Sequence, residues 1–515
     1  MSASRQFGAA RFALRVRLIA GLLIVIALVI IGRLYLVQIV HGEEYARKAD
    51  AQLSIQKDPL LNRGSIYMTS KDGERVVAAT LRPIDESSED EHQRYYPGGS
   101  LAAQTLGFVA YNNDDEQKGR YGLERYYEQT LARPGEELYK NFFVELFGGI
   151  RDVLSDTPSH GDIITTIEPT VQSELERALV AYEESWTPKL AGGIVMDPNT
   201  GEIVAMALSP TFDLNYFNKQ ESTSIFANAM AESVFEMGSI MKPLTVAAGL
   251  DAGVITEATT YNDTGCVEMD QKRFCNHDLV ARGPGTTMQQ VLSESLNLGA
   301  SFVAGKLEPE EMRHYFIGRY KFGQETGVDL PGELRGLTQN LLSNRQIEHS
   351  TASFGQGLAV TPIQMVRALA TLGNGGYLVT PHLVRAVRDE SGLERPLGWG
   401  EPERVLKQET STAISRMLTE VVDEALVDGK IKLERHSVAA KTGTAQIANP
   451  GGGGYYADRY LHSFFGYFPS FDPRFIVFLF AEEPQGAAFS SQTWAMPFHT
   501  LTEFLINYYN IPPDR

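Results

Sequence analysis

The stretch 236–250, EMGSIMKPLTVAAGL, carries a hydroxyl and an amine at helical spacing: Ser239 follows Gly238, and Lys242 comes three residues later. On a helix, positions i and i+3 lie on one face about 5–6 Å apart. A serine hydroxyl is a poor nucleophile until a base takes its proton. A lysine serves as that base once burial or a neighbouring cation lowers its pKa. The positive end of a helix near Ser239 favours negative charge developing there. Pro243 has no N–H and cannot bond the Ser239 carbonyl. Either the helix begins close to Ser239 or its first turn is irregular. S-x-x-K alone is common in a long chain and decides nothing.

Two later stretches add to it. Ser295-Leu296-Asn297 lies 56 residues beyond Ser239, in LSESLNLGA. It offers a hydroxyl to relay a proton and an amide to hold a substrate amide. Lys441-Thr442-Gly443-Thr444 sits in VAAKTGTAQI, an apolar, strand-like setting. A glycine in a strand lets another backbone or a ligand come close. An edge strand here can pair with a peptide-like substrate through main-chain bonds. Lys441 with the Thr442 and Thr444 hydroxyls makes a site for a carboxylate.

These groups must be held by the elements around them. GGIVMD and EIVAMAL read as two strands around the turn Pro198-Asn199-Thr200-Gly201. Further strands are expected over 436–446, 464–468 and 475–480, and a closing helix over 497–507 with Phe498, Leu501 and Leu505 on one stripe. The middle, 225–430, reads as mostly helical. Strands from both ends of 190–515 thus flank a helical insert, an α+β layout with one antiparallel sheet. The run Gly451–Gly454 reads as a loop tip between strands. Residues 170–183 read as an amphipathic helix with Val171, Leu175, Leu179 and Val180 on one stripe, a joint between this region and a mixed module over 43–165.

The N-terminal region is different again. Residues 18–31 carry no charge, and the apolar character runs to Val40, long enough to cross a hydrocarbon core about 30 Å thick. Arg5, Arg11, Arg15 and Arg17 precede this span, and Glu43-Glu44 come after it. The positive-inside rule then puts the N-terminus in the cytoplasm and the rest of the chain outside. The chain holds 46 basic and 64 acidic residues; five arginines fall in 1–42, which has no acid, so 43–515 carries 41 bases against 64 acids. That balance argues against nucleic-acid binding. Two cysteines, Cys266 and Cys275, cannot make a four-ligand zinc site, and there is no H-E-x-x-H. No metal or cofactor is expected. Outside the cytoplasm the two thiols can close a small loop as a disulfide, contributing roughly 2–3 kcal/mol; the alternative is two free thiols.

S-x-x-K, S-x-N and K-T-G in this order form the motif set of penicillin-binding proteins and β-lactamases. The chain resembles a class B penicillin-binding protein, a membrane-anchored peptidoglycan transpeptidase, and most closely the division-type (septal) branch. Arg63-Gly64-Ser65-Ile66, Tyr96-Pro97-Gly98, Leu106-Gly107-Phe108-Val109 and Gly122-Leu123-Glu124 resemble the family's N-terminal motifs. Asp197–Ala207, Phe354-Gly355-Gln356-Gly357, Thr361-Pro362-Ile363-Gln364 and Asn374-Gly375-Gly376 resemble landmarks of its transpeptidase domain. The resemblance spans about residues 15–510. There are departures: only residues 65–95 separate Gly64 from Tyr96, where relatives carry a longer head, and Met237 stands where relatives often have proline.

The resemblance implies a cytoplasmic tail (1–17), a transmembrane helix (18–40), a dimerisation-like pedestal with a shortened head (43–165), a linker helix (166–190) and a transpeptidase domain of serine β-lactamase-like fold (191–512). It implies an inner-membrane protein with its catalytic domain on the periplasmic or extracellular side. It implies Ser239 as nucleophile, Lys242 as base, Ser295 as proton relay, and Asn297 and Lys441 as further catalytic groups. Thr442, Gly443 and Thr444 would bind substrate, and the backbone N–H groups of Ser239 and Thr444 would form an oxyanion hole. Partners would be stem peptides ending in D-Ala-D-Ala, β-lactams as inhibitors, a SEDS-family glycan polymerase and other division proteins. The alternatives are an elongation-type transpeptidase, a β-lactamase or β-lactam sensor, and a non-catalytic scaffold of the cell-wall machinery. Leu296 stands where soluble class A β-lactamases usually carry Asp, which weighs against the sensor or lactamase reading.

Overall fold

The structure, a computed structural model, describes residues 63–83, 92–111, 117–132 and 160–515, apart from positions 390, 450 and 453, and four N-terminal positions, 25, 26, 30 and 33. The tail 1–17 and most of the expected span 18–40 lie outside the described residues. Among the described residues no helix is long and apolar enough to cross a membrane. The chain divides into two units, 1–58 and 59–515.

The centre of the second unit is a five-stranded antiparallel sheet in the order Ala439–Ala448, Tyr455–Phe468, Phe475–Glu482, Leu190–Met196, Ile203–Ser209. Strands distant in sequence therefore meet, as the apolar runs at both ends of the region predict. The turn joining the last two is organised by Asp197, whose carboxylate accepts the Asn199 N–H at 2.8 Å. Two adjacent glycines mark the two covered faces. A Cβ on Gly193 would lie 2.7 Å from Leu175, and one on Gly192 would lie 2.6 Å from Met230. Successive strand residues face opposite sides, so helices press on both. The first face holds Pro169–Trp186 and Ser490–Tyr509, joined by stacked Tyr182 and Trp494 rings with centroids 3.7 Å apart. The other face carries the helical insert.

The expected joint, 170–183, falls within the helix Pro169–Trp186. It lies on the sheet, and Gln172 exchanges hydrogen bonds of 2.9 Å with both backbone groups of Met206. Val171, Leu175, Leu179 and Tyr182 are buried, but Val180 is 47% exposed, one residue past the apolar stripe.

A second, six-stranded sheet runs Glu394–Pro396, Val384–Arg388, Asp162–Thr165, Ile66–Thr69, Arg75–Pro83, His92–Tyr95. Two of its strands come from 384–396, inside the stretch assigned to the transpeptidase domain. The pedestal is thus built from both sides of the expected boundary. Its core holds a buried ion cluster. Glu124 accepts from Arg63 Nε at 2.8 Å, from Arg94 Nε at 2.6 Å and from the Tyr96 hydroxyl at 3.3 Å. The Tyr96 oxygen in turn accepts the Val109 N–H at 3.2 Å. All four N-terminal motifs converge on this cluster. Burial alone would raise the Glu124 pKa; the two guanidiniums overcome it and hold the carboxyl below its usual range.

Candidate active site

Ser239 sits in a 3₁₀ turn, Gly238–Met241, and the α-helix Lys242–Asp251 begins directly after it. This is how Pro243 is accommodated. The Ser239 carbonyl takes its bond from the Lys242 N–H, one residue before the missing donor. The turn needs a backbone that only glycine adopts freely: Gly238 has φ +64° and Gly355, stacked against it, has φ +84°. A Cβ on Gly355 would lie 2.6 Å from the Gly238 nitrogen.

Lys242 is fully buried, while Ser239 is half-buried. The Lys242 amine lies 3.0 Å from Ser239 Oγ, 3.1 Å from Ser295 Oγ and 2.5 Å from the Ser295 carbonyl. Ser295 occupies the link between the helices Met288–Ser293 and Asn297–Arg313 and has φ +56°. A non-glycine residue there costs about 1–2 kcal/mol; the conformation presents both Ser295 oxygens to Lys242. From the other side, Lys441 Nζ reaches Ser295 Oγ at 3.0 Å. The four side chains form one chain of contacts: Ser239, Lys242, Ser295, Lys441.

Burial pushes the Lys242 amine well below its usual pKa, and the Lys441 charge adds to this. Burial brings Lys441 down to about 7. Two amines on one hydroxyl cannot both carry charge cheaply in a water-poor pocket. A neutral Lys242 has a lone pair aimed at the Ser239 proton, the arrangement general-base catalysis requires.

Lys441 to Thr444 lie on the edge strand of the central sheet. Alternation separates their side chains. Lys441 and Gly443 share the buried face with Ser295 and the nucleophile turn, and Thr442 and Thr444 are half-buried on the other. Lys441 therefore does not line up with the two hydroxyls as one carboxylate site; its amine is engaged with Ser295 and with the Thr442 carbonyl at 3.2 Å. Thr444 Oγ1 accepts the Ser490 N–H at 3.1 Å, which leaves its hydroxyl hydrogen to donate elsewhere. Gly443 packs on the nucleophile turn: a Cβ there would strike Ser463 Oγ and lie 2.7 Å from the Met237 carbonyl. Asn297 is the first residue of its helix, and its Nδ2 donates to the Cys275 carbonyl at 2.9 Å. Cys266 and Cys275 are joined as a disulfide. Among the described residues no cluster of His, Cys, Asp or Glu could hold a metal ion.

Residues 191–499 match the family model described as penicillin-binding protein transpeptidase domain. The chain belongs to the penicillin-binding protein transpeptidase family. It is 31% identical to stage V sporulation protein D of Bacillus subtilis over 455 residues, covering 84% of this chain and 68% of the relative. It is 28% identical to peptidoglycan D,D-transpeptidase FtsI of Escherichia coli, covering 82% and 69%. The apo crystal structure of penicillin-binding protein 3 from Mycobacterium tuberculosis superposes with a TM-score of 0.74 at 25% identity, covering 88% of this chain and 97% of that one. Its aztreonam complex gives 0.75.

Several residues of this penicillin-binding protein do their work without a motif to announce them. Ser463, opposite Gly443 in the sheet, donates to the Met237 carbonyl at 2.8 Å and so ties the second strand to the nucleophile turn. Met237 itself is fully buried. Ser490 donates its N–H to Thr444 and its hydroxyl to the Ser463 carbonyl at 2.7 Å. The only sequence signal for Ser463 is that His462-Ser463 are polar residues beginning an otherwise apolar run.

Proposed function

We propose that this chain is a peptidoglycan D,D-transpeptidase of the division type that works through a Ser239 acyl-enzyme. The observation that carries this reading is the Lys242 amine, buried and 3.0 Å from Ser239 Oγ, sharing the Ser295 hydroxyl with Lys441. Lys242, neutral at rest, takes the Ser239 proton as Oγ attacks the penultimate D-Ala carbonyl of a stem peptide. The carbonyl oxygen becomes an oxyanion facing the Ser239 and Thr444 N–H groups; losing one such donor costs about 3–4 kcal/mol. As the C–N bond breaks, the proton passes from Lys242 through Ser295 to the departing amine, and D-Ala leaves. Asn297 and the edge strand hold the peptide backbone, and the Thr442 and Thr444 hydroxyls hold its carboxylate. An amine from a second stem peptide then attacks the ester, its proton returns to Ser239 by the same route, and a cross-link results.

A β-lactam would acylate Ser239 through its strained amide and stay bound. Residues 18–40 would anchor the protein in the cytoplasmic membrane with residues 43–515 outside, supported by the arginines before the span and the acids after it. A SEDS-family glycan polymerase and other division proteins would be its partners, reached through the span and the pedestal; a division role is supported by the likeness to FtsI.

The test is labelling with a fluorescent penicillin. The protein is expected to label and Ser239→Ala is not; labelling of that variant sinks the assignment. Rapid release of the label as hydrolysed penicillin would favour a β-lactamase. Incubation with stem peptide and a D-amino acid acceptor separates cross-linking from simple carboxypeptidase action.

A further inference from the structure

The hairpin Cys266–Met269/Lys272–Cys275 stands beside the site, and the proposed acylation chemistry does not use it. Its two turn residues, Asp270 and Gln271, both have positive φ, 49° and 63°, the twist that two-residue hairpins favour. Cys266 and Cys275 are register partners at its open end. The next residue, Asn276, is 1% exposed, and its side chain is fully engaged. Nδ2 donates to the two oxygens of buried Asp263 at 3.0 and 2.9 Å. Oδ1 accepts the Leu298 N–H at 3.1 Å. The Asn276 N–H donates to the Gly265 carbonyl at 2.9 Å.

Leu298 lies in the first turn of the helix Asn297–Arg313. The N–H groups of a first turn need an acceptor from outside the helix. Leu296, the N-cap residue, makes no side-chain bond, so Asn276 supplies one from another element. One residue back, the Cys275 carbonyl holds the Asn297 amide. The end of the hairpin thus fixes both the backbone and the side chain of the turn just after Ser295. The hairpin's far end is tied down as well. Asp270 accepts the Ile347 N–H at 3.1 Å, and Met269 Sδ accepts from Ser350, whose hydroxyl in turn accepts from Ser301 of the same Asn297–Arg313 helix at 3.0 Å.

We propose that Asn276, clamped by the Cys266–Cys275 hairpin, is a positioning residue for acylation. It sets the first turn of the Asn297–Arg313 helix and thereby holds the Ser295 hydroxyl between Lys242 and Lys441. The inference rests on the transpeptidase reading of this site. It also makes acylation sensitive to reduction of the disulfide.

The full chain in detergent is titrated with a fluorescent penicillin, and three quantities are read: acylation rate constant, half-saturating concentration and labelled fraction. Asn276→Ala is expected to lower the rate constant ~10–100-fold, the usual effect of misplacing reacting groups by about 1 Å. Asn276→Asp sets a carboxylate against Asp263 and is expected to be as slow. The exchange Asp263→Asn with Asn276→Asp restores one donor and one acceptor across the pair and is expected to recover most of the rate. Reduction, verified by alkylation of both cysteines, is expected to slow the wild type and to leave Cys266→Ser/Cys275→Ser unchanged. An Asn276→Ala rate constant equal to wild type overturns the proposal. So does a labelled fraction that falls while the rate constant holds, since that is loss of folded protein alone. A fully reduced wild type that acylates at the oxidised rate overturns the clamp. Absence of labelling in the oxidised wild type is a different result and overturns the proposed function itself.

Discussion

At the scale of single residues, the site depends on two lysines that the protein keeps out of water. An unpaired buried ammonium is costly, so the groups that make Ser239 reactive also strain the fold. Lys242→Met, similar in length and uncharged, is expected to lower penicillin acylation by about 10²–10⁴-fold, the share of a general base. The same substitution should leave the melting temperature equal or higher, as is common where active-site groups are held at a cost in stability. A large drop in melting temperature would mean that Lys242 is a structural tether first. Lys441 gives a signed pH effect. Its pKa falls from 10.5 unfolded to about 7 folded. Between those values the unfolded chain holds a proton that the folded protein does not, so this group makes stability rise with pH across that window. Below about 7 both states are protonated and the contribution is flat. Lys441→Met should therefore melt above wild type near pH 7, with the gap closing toward pH 10. Thermal melts at several pH values check this, and a gap that ignores pH refutes it.

At the scale of elements, the edge strand and the nucleophile turn are one contact. Gly443 lets the strand lie on Met237, and Ser463 bonds the Met237 carbonyl from the neighbouring strand. Gly443→Ala forces a methyl group into that junction. It should cost about 1–3 kcal/mol, as overpacking does, and reduce acylation more than stability; an alanine variant that acylates normally would show that the turn can move aside. Much of this layer is legible in the sequence. The S-x-x-K spacing puts Ser239 and Lys242 together because a helix fixes i and i+3 locally, and alternating or apolar runs mark the central strands. What is not legible is partnership across space. Nothing local says that Asn276 caps a helix beginning at 297, that Ser490 bonds Thr444, or that residues 384–396 extend the pedestal sheet. The helix over 169–186 is readable as a helix, but nothing within it says that its apolar stripe is covered at Leu175 by the strand holding Gly193, beside Leu479 from far along the chain.

At the scale of the whole molecule, the pedestal and the catalytic sheet are not independent bodies, and one carboxylate shows why. Asp329 accepts the Leu383 and Val384 N–H groups at 2.7 and 2.9 Å and the Tyr127 hydroxyl at 2.9 Å. It so joins Tyr127, the turn residue between the short pedestal helices Gly122–Tyr126 and Glu128–Leu131, to the strand that returns from the catalytic region into the pedestal sheet. Burial raises its pKa to about 6. The Glu124 cluster lies in the same pedestal, more than a hundred residues in sequence from Ser239. Removing one partner of a buried ion cluster strands the others, typically at about 3–5 kcal/mol. Glu124→Ala should therefore destabilise the protein strongly while its folded fraction acylates at the normal rate. Because the sheet is shared, heat should abolish penicillin labelling in the variant at the same lowered temperature at which the pedestal melts. Calorimetry and labelling on one heating ramp decide it. If the variant's pedestal melts early while labelling survives to the wild-type temperature, the strands at 384–396 do not couple the two regions.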